Sequence, residues 1–339
     1  MKSMRVLWES KTPVVSECFR LGRILPSANG GNAYDVQAAL QLSNDFQVSM
    51  SSATVKRPGE AAIAYWARLR KLEESAEVVI REPYPIVFGR FRPGIRYIAM
   101  IHHIDDELTR KSVFHRWYFR RLKKRLAVMD LVVTVSEFWA GYLRAIGCKN
   151  VRVIYNAFDP TEFTVNPSAV AEFKSKYLIP SDRPVIYIGN ASRQKGVYDV
   201  YQALKDKGYH LLMSGPQNHA PDLPVQYLQL ERADYLLMLH ACDAVVCMSR
   251  MREGWNRIAH EAMLCRVPVI GNGSGGMLEL LQGGGQAIAK DSLALPQVVD
   301  NVLRHREEFA GAGYEYVSRF DLEYFKNQWA TAVNSVVRR

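Results

Sequence analysis

Twice along its length the chain alternates short apolar runs with stretches whose apolar residues recur at helical spacing. That rhythm limits the fold more than any other feature. In the first block it predicts strands at Arg5–Trp8, Gln47–Ser51, Arg96–Ile101, Leu131–Val135 and Val151–Tyr155. Helices are expected at Asn32–Leu42, opened by Gly30-Gly31, and at Ala61–Leu72. Pro160 and the polar stretch Thr164–Ser168 then read as a linker, and the rhythm restarts. The second block predicts strands at Pro184–Ile188, His210–Ser214, Val225–Leu228, Ala244–Met248 and Val267–Gly271, with helices at Val197–Lys205, Asp234–Cys242 and Arg257–Cys265. Strands alternating with helices make βαβ units, which need parallel sheets covered on both faces. Two such blocks within 339 residues imply an α/β chain of two doubly wound domains facing a cleft. In such sheets ligands bind outside the carboxyl ends of the strands.

Composition removes several classes. With 48% hydrophobic and 23% charged residues, the chain is neither disordered, collagen-like nor a coiled-coil rod. Five scattered cysteines with no Cys-x-x-Cys pair argue against a disulfide framework or a zinc site and suit a reducing cytoplasm. Glu9 and Lys11 interrupt the first segment, so no cleaved leader is expected. No apolar run approaches the ~18 residues of a spanning helix. The net charge of +10 is uneven, because Arg110–Arg125 holds eight Arg or Lys and no acid. Such a patch attracts polyanions. No nucleic-acid module accompanies it, so nucleic acid is not expected as a partner.

The most informative segment is Arg252–Met263, REGWNRIAHEAM, running from a strand into a helix. Glu253 sits just ahead of the helix and Glu261 about two turns inside, which separates the carboxylates by roughly 10 Å along the axis. That is too far for two acids working on one bond. It matches the two ends of a nucleotide diphosphate sugar, with the diphosphate near the free N–H groups of the helix start. The plain alternative is that Glu253 complements the helix dipole and Glu261 faces solvent.

EGWNRIAHEAMLCRVPVIGNGSGGMLELL resembles the signature of family 4 glycosyltransferases of the GT-B fold, a Glu-x7-Glu motif followed by Gly-Gly-x-x-Glu. Glu253, Gly254, Glu261, Ala262, Met263, Pro268, Val269, Gly275, Gly276 and Glu279 match. Asp243 and Ser249 fit an upstream motif, and Asp130–Phe163 is similar to the family's last strand of the first domain and entry to the linker. Trp255-Asn256 replaces the usual Phe-Gly, and Arg266 stands where Gly is usual. The resemblance implies two Rossmann-like domains, an acceptor domain at residues 1–163 and a donor domain at 164–320, with a helix in 321–339 crossing back to the first.

It further implies a retaining transfer of a hexose from a UDP- or GDP-sugar to a hydroxyl of a glycan or lipid-linked acceptor, in cell-surface polysaccharide or glycolipid synthesis. No metal or other cofactor is expected. Catalytic roles fall to His102, Lys195 and Glu253, with His103 an open alternative to His102. Donor binding falls to Gly30, Gly31, Asn190, Arg193, Lys195, Gly254, Trp255, Asn256, Arg257 and Glu261. Asn190 occupies the position of an expected Arg, and Arg193 is the candidate replacement for its charge. A nucleotide-sugar epimerase of the same fold is the alternative. In the basic segment, Phe114, Tyr118, Leu122 and Leu126 recur every four residues, with Trp117 and Phe119 among the cations. This is the pattern of an interfacial helix. Trp117, Arg120, Arg121, Lys123 and Lys124 are therefore expected on an anionic membrane surface, placing the protein in the cytoplasm or on the membrane's inner face. The competing reading turns the stripe into the domain's own core.

Overall fold

The structure is a computed structural model that describes residues 4–28, 30–51, 55–70, 76–105, 112–215 and 223–338. It divides into two compact units. The first comprises Met1–Ala157 together with Leu322–Arg339, and the second Phe158–Asp321. The division precedes Pro160 rather than following Phe163. Phe158 explains the difference: its N–H bonds to the Phe320 carbonyl, and its ring packs edge-on against Phe163 and His260.

The first unit holds six parallel strands: β1 (Arg5–Glu9), β2 (Gln47–Met50), β3 (Val78–Arg81), β4 (Arg96–Ile101), β5 (Leu131–Thr134) and β6 (Val151–Val153). Their order is β2-β1-β3-β4-β5-β6. β3, β5 and nearly all of β4 are buried on both faces, as a helix-covered parallel sheet requires. The order reverses between β1 and β3, which makes that gap the topological switch point of the unit. The second unit holds β7 (Val185–Asn190), β8 (His210–Ser214), β9 (Gln226–Leu228), β10 (Ala244–Cys247), β11 (Val269–Gly271) and β12 (Ala287–Ile288), in the order β12-β11-β10-β7-β8-β9. This is the strand order of a dinucleotide-binding Rossmann sheet, with its switch point between β7 and β10.

The C-terminal helix Leu322–Val337 belongs to the first unit and packs on the helix Gly30–Leu42. Trp329 meets Trp8 at 5.3 Å between ring centroids, and Phe325 meets Tyr34 at 5.0 Å. The basic helix spans Val113–Leu126, so Arg110 and Lys111 lie outside the described residues. Ser112 caps it by accepting the His115 N–H. Its buried face is Phe119, Leu122 and Leu126, which corrects the expected position of Phe119 among the cations. Arg121 and Arg125 are also committed inward. They donate to the carbonyls of Val87, and of Ile86 and Gly89, at the end of the helix Pro83–Phe88. Those carbonyls have no partner within their own helix. Val113, Phe114, Trp117, Arg116, Arg120 and Lys124 remain exposed, and Lys123 lies over the Tyr142 ring. Among the described residues, no helix is long and apolar enough to cross a membrane.

Candidate active site

At the switch point of the second unit, the loops after β7 and β10 are stitched together. The Gln194 carbonyl accepts from the Arg250 N–H at 2.9 Å and from the Ser249 hydroxyl at 3.4 Å. Gly196, at φ 73°, lies so close to β10 that a Cβ there would fall 1.8 Å from the Met248 carbonyl oxygen. No other residue type fits without moving the loop. This approach brings Lys195 to Glu253, with Nζ to Oε1 at 2.6 Å.

Glu253 is nearly buried and its backbone is pinned from the other side. It forms a parallel bridge with Gly275, its N–H donates to the Ser274 carbonyl, and its carbonyl accepts the Gly276 N–H at 2.9 Å. The Gly-Gly pair after β11 therefore fixes where the carboxylate stands. A Cβ at Gly275 would sit 2.5 Å from the Glu253 carbonyl oxygen.

Glu261, inside the helix Arg257–Leu264, is tied at both oxygens. Arg232 Nη1 donates to one at 2.8 Å and the Tyr235 hydroxyl to the other at 3.0 Å. Burial first, and then the charge of Glu261, push the Tyr235 hydroxyl well above its ordinary pKa, so it stays a donor. A carboxylate has about four acceptor positions, so these bonds leave room for ligand hydroxyls. Arg257 stands over the Phe158 ring at 4.3 Å, and burial lowers its guanidinium pKa while Glu261 opposes that shift. The Trp255 side chain turns into the core, where its N–H donates to His260 Nδ1 at 3.1 Å. The role expected of Trp255 in donor binding is that of its backbone N–H, which the burial of the side chain leaves in place. His260 is fully buried, and burial with the nearby Arg257 charge pulls its pKa down to about 3.

Asn190 ends β7, and its side-chain oxygen accepts from the Tyr187 hydroxyl at 2.9 Å. Tyr187 and Ser214 are themselves 2.7 Å apart. Arg193 is exposed on the short turn Arg193–Lys195.

In the first unit, Gly30 and Gly31 open a helix whose next turn carries Asp35. His102 follows β4, and its Nε2 lies 2.9 Å from Asp35 Oδ1. A Cβ on Gly31 would come within 3.3 Å of the His102 ring, so the glycine lets helix and imidazole meet. His103 is exposed instead, 6.4 Å from the Trp139 ring. Glu82 follows β3, at the switch point of this sheet. It is 8% exposed, and its Oε1 has no hydrogen-bond partner among the described residues. Burial, and then the Asp35 charge, raise its pKa to about 8. Asp35, Glu82, Arg232 and Tyr235 were not anticipated from sequence. The available signals were Asp35 one helical turn beyond Gly31, and Arg232 with Tyr235 at helical spacing.

The sequence matches the profile described as Glycosyltransferase Family 4 over residues 45–162. It matches the profile described as Glycosyl transferases group 1 over residues 170–307. The chain belongs to family 4 of the GT-B glycosyltransferases. Among solved structures, sucrose-phosphate synthase from Thermosynechococcus elongatus superposes with a TM-score of 0.77 at 18% identity, over 99% of both chains. Anabaena HepE in complex with UDP-glucose gives 0.72 at 18% identity, over 98% of this chain and 100% of that one.

Two curated relatives match shorter segments. An uncharacterized glycosyltransferase of Methanocaldococcus jannaschii is 25% identical over 39% of this chain and 38% of its own length. N-acetyl-alpha-D-glucosaminyl L-malate synthase of Bacillus anthracis is 26% identical over 56% of this chain and 55% of its own. The chain thus spans about half the length, or less, of the curated relatives it matches.

The departures from the family signature now have a physical account. Asn256 has φ 79° and Arg266 has φ 56°, both left-handed, where the family's usual glycine carries no steric cost. Asn tolerates that region and here also caps the helix, accepting the Ala259 N–H at 3.0 Å. Arg266 lays its guanidinium 3.9 Å from the centre of the Tyr314 ring, a cation–π contact that offsets part of its strain.

Proposed function

We propose that this protein is a retaining glycosyltransferase that moves a hexose from a UDP- or GDP-sugar to a hydroxyl of a glycan or lipid-linked acceptor. The observation that carries the reading is the Lys195–Glu253 pair at the switch point of the second unit, with Glu261 anchored about one turn inside the helix Arg257–Leu264. Lys195 exchanges Glu253 for the diphosphate and stabilises the charge that develops as the glycosidic bond breaks. Glu253, released from the ammonium, takes hydroxyls of the transferred sugar, and Glu261 those of the ribose. Backbone N–H groups of Gly254, Trp255 and Asn256 lie at the helix start, suited to an anion. The departing phosphate oxygen removes the acceptor's proton as the new bond forms on the same face.

UDP is the first donor to test, since HepE was crystallised with UDP and with UDP-glucose. Transition shifts with UDP and GDP identify the base, because a ligand at 100 times its dissociation constant adds about 2.7 kcal/mol. Nucleoside diphosphate released only with acceptor present, and a product that keeps the donor's anomeric configuration, support the reading. Inversion, or conversion of the sugar without an acceptor, overturns it. Activity that survives a chelator supports metal independence.

The exposed start of the basic helix, with Val113, Phe114 and Trp117 beside Arg116, Arg120 and Lys124, favours a lipid-linked acceptor. It fits docking on the inner face of a membrane in polysaccharide or glycolipid synthesis.

A further inference from the structure

We infer that Asp35 is a positioning residue for His102, fixing the imidazole so that Nδ1 is presented as an acceptor to a sugar hydroxyl. The role rests on the transferase reading above, but its chemistry comes from the first unit alone. His102 Nε2 is 2.9 Å from Asp35 Oδ1, and that carboxylate is 2% exposed on a rigid helix. A carboxylate only accepts, so Nε2 must carry the proton of this bond. In the neutral ring the lone pair is then on Nδ1, which has no partner among the described residues. The other tautomer would set two lone pairs against each other. The choice between ring nitrogens is thus made by the bond at the far side of the imidazole.

The ring has little freedom to turn. Gly31 closes one side, and Tyr34 meets it edge-on at 5.1 Å with an 89° interplanar angle. Tyr34 is itself fixed by its hydroxyl bond to the Ile154 carbonyl at 2.9 Å and by Phe325 of the C-terminal helix. A side chain 22% exposed, following a strand on the ligand side of its sheet, is held in one orientation with one nitrogen open. The adjoining Glu82 holds its proton at neutral pH, because burial and the Asp35 charge both oppose its ionisation. It therefore adds no second negative charge beside the pair. With the ring neutral, an acceptor nitrogen at that place suits a polyol hydroxyl, and its lone pair is repelled by a phosphate oxygen.

Two-bond 1H–15N correlation spectra of the full-length protein distinguish the tautomers, with His102→Gln assigning the resonance. The expected result is the Nε2–H form in the wild type and a shift toward Nδ1–H in Asp35→Asn, whose amide can donate to Nε2. Where transferase activity is measured, Asp35→Asn lowers kcat by roughly 10–100-fold, the range found when a carboxylate orienting a metal-bound imidazole is lost. KM for the nucleotide sugar stays within about twofold, and Asp35→Glu restores part of the rate. An Nδ1–H ring in the wild type overturns the proposal, as does wild-type kcat in an Asp35→Asn enzyme whose tautomer has switched. Absence of transfer with every donor would refute the transferase reading, while the tautomer spectra would still decide what Asp35 does.

Discussion

Glu82 makes the stability of the first unit depend on pH in a direction opposite to most carboxylates. Its ordinary value of 4.5 rises to about 8 in the fold, from burial first and the Asp35 charge second. Between those values the folded chain keeps a proton that the unfolded chain has released. The stabilisation is therefore complete below about pH 4.5, declines as pH rises, and is gone above about pH 8. At about 1.4 kcal/mol for each tenfold change in proton affinity, the ceiling is roughly 5 kcal/mol. Glu82→Gln keeps the shape and removes the titration. The assay is urea unfolding of both proteins at several pH values from about 5 to 8, followed by tryptophan emission. Five of the six tryptophans, all but Trp255, belong to the first unit, so the signal reports mainly on it. His260 acts in the opposite sense, because its lowered pKa costs stability as pH falls below about 6.5, but it is common to both proteins and cancels in the difference. The advantage of wild type over the glutamine variant should shrink by more than about 2 kcal/mol across the range. A difference that stays constant with pH would refute the assignment of a neutral Glu82.

Lys195→Ala should lower turnover more than tenfold, and combining it with Glu253→Gln should cost less than the sum of the two, because each loses the same 2.6 Å partner. Glu261→Gln and Tyr235→Phe should weaken nucleoside diphosphate binding, each by about 1–3 kcal/mol, measured calorimetrically. Gly275→Ala should displace the Glu253 loop, since the new Cβ collides with backbone at 2.5 Å and φ is 69°. The expected cost is roughly 1–2 kcal/mol or more in the second unit, with turnover reduced and the tryptophan-monitored transition of the first unit unchanged. An Arg193→Ala enzyme with wild-type rate would leave Lys195 as the sole cation of the loop. Replacing Arg116, Arg120 and Lys124 by Glu should abolish flotation with anionic vesicles at ~0.15 M salt, and equal recovery of variant and wild type would remove the membrane surface from the picture.

The two βα blocks were legible because buried parallel strands leave continuous apolar runs. β3 was not, because Val78–Arg81 ends in an arginine. Its burial depends on Glu9, 2.5 Å away across the sheet but distant in sequence. On the basic helix, the four-residue stripe placed Leu122 and Leu126 correctly inside. It missed Phe119, since a helix of 3.6 residues per turn carries its buried face off a strict four-residue row. Glu253 and Glu261 could be found by motif. Arg232 and Tyr235 could not, because they reach Glu261 from another helix that no local pattern connects to it. The glycines usually found at positions 256 and 266 mark a backbone need rather than a chemical one, which is why Asn and Arg can stand there.

The return of the helix Leu322–Val337 to the first unit has a consequence for synthesis. Trp8, fully buried, rests on Trp329 near the other end of the chain, and Tyr34 rests on Phe325. A ribosome releases the second unit, residues 158–321, before it releases the residues that complete the first. The second unit can close while the first waits with Trp8 and Tyr34 uncovered, inviting chaperone contact until Leu322–Val337 has emerged. The packing that steadies His102 therefore forms only after the second unit has been released, and a nascent chain holds its second sheet before its histidine is set.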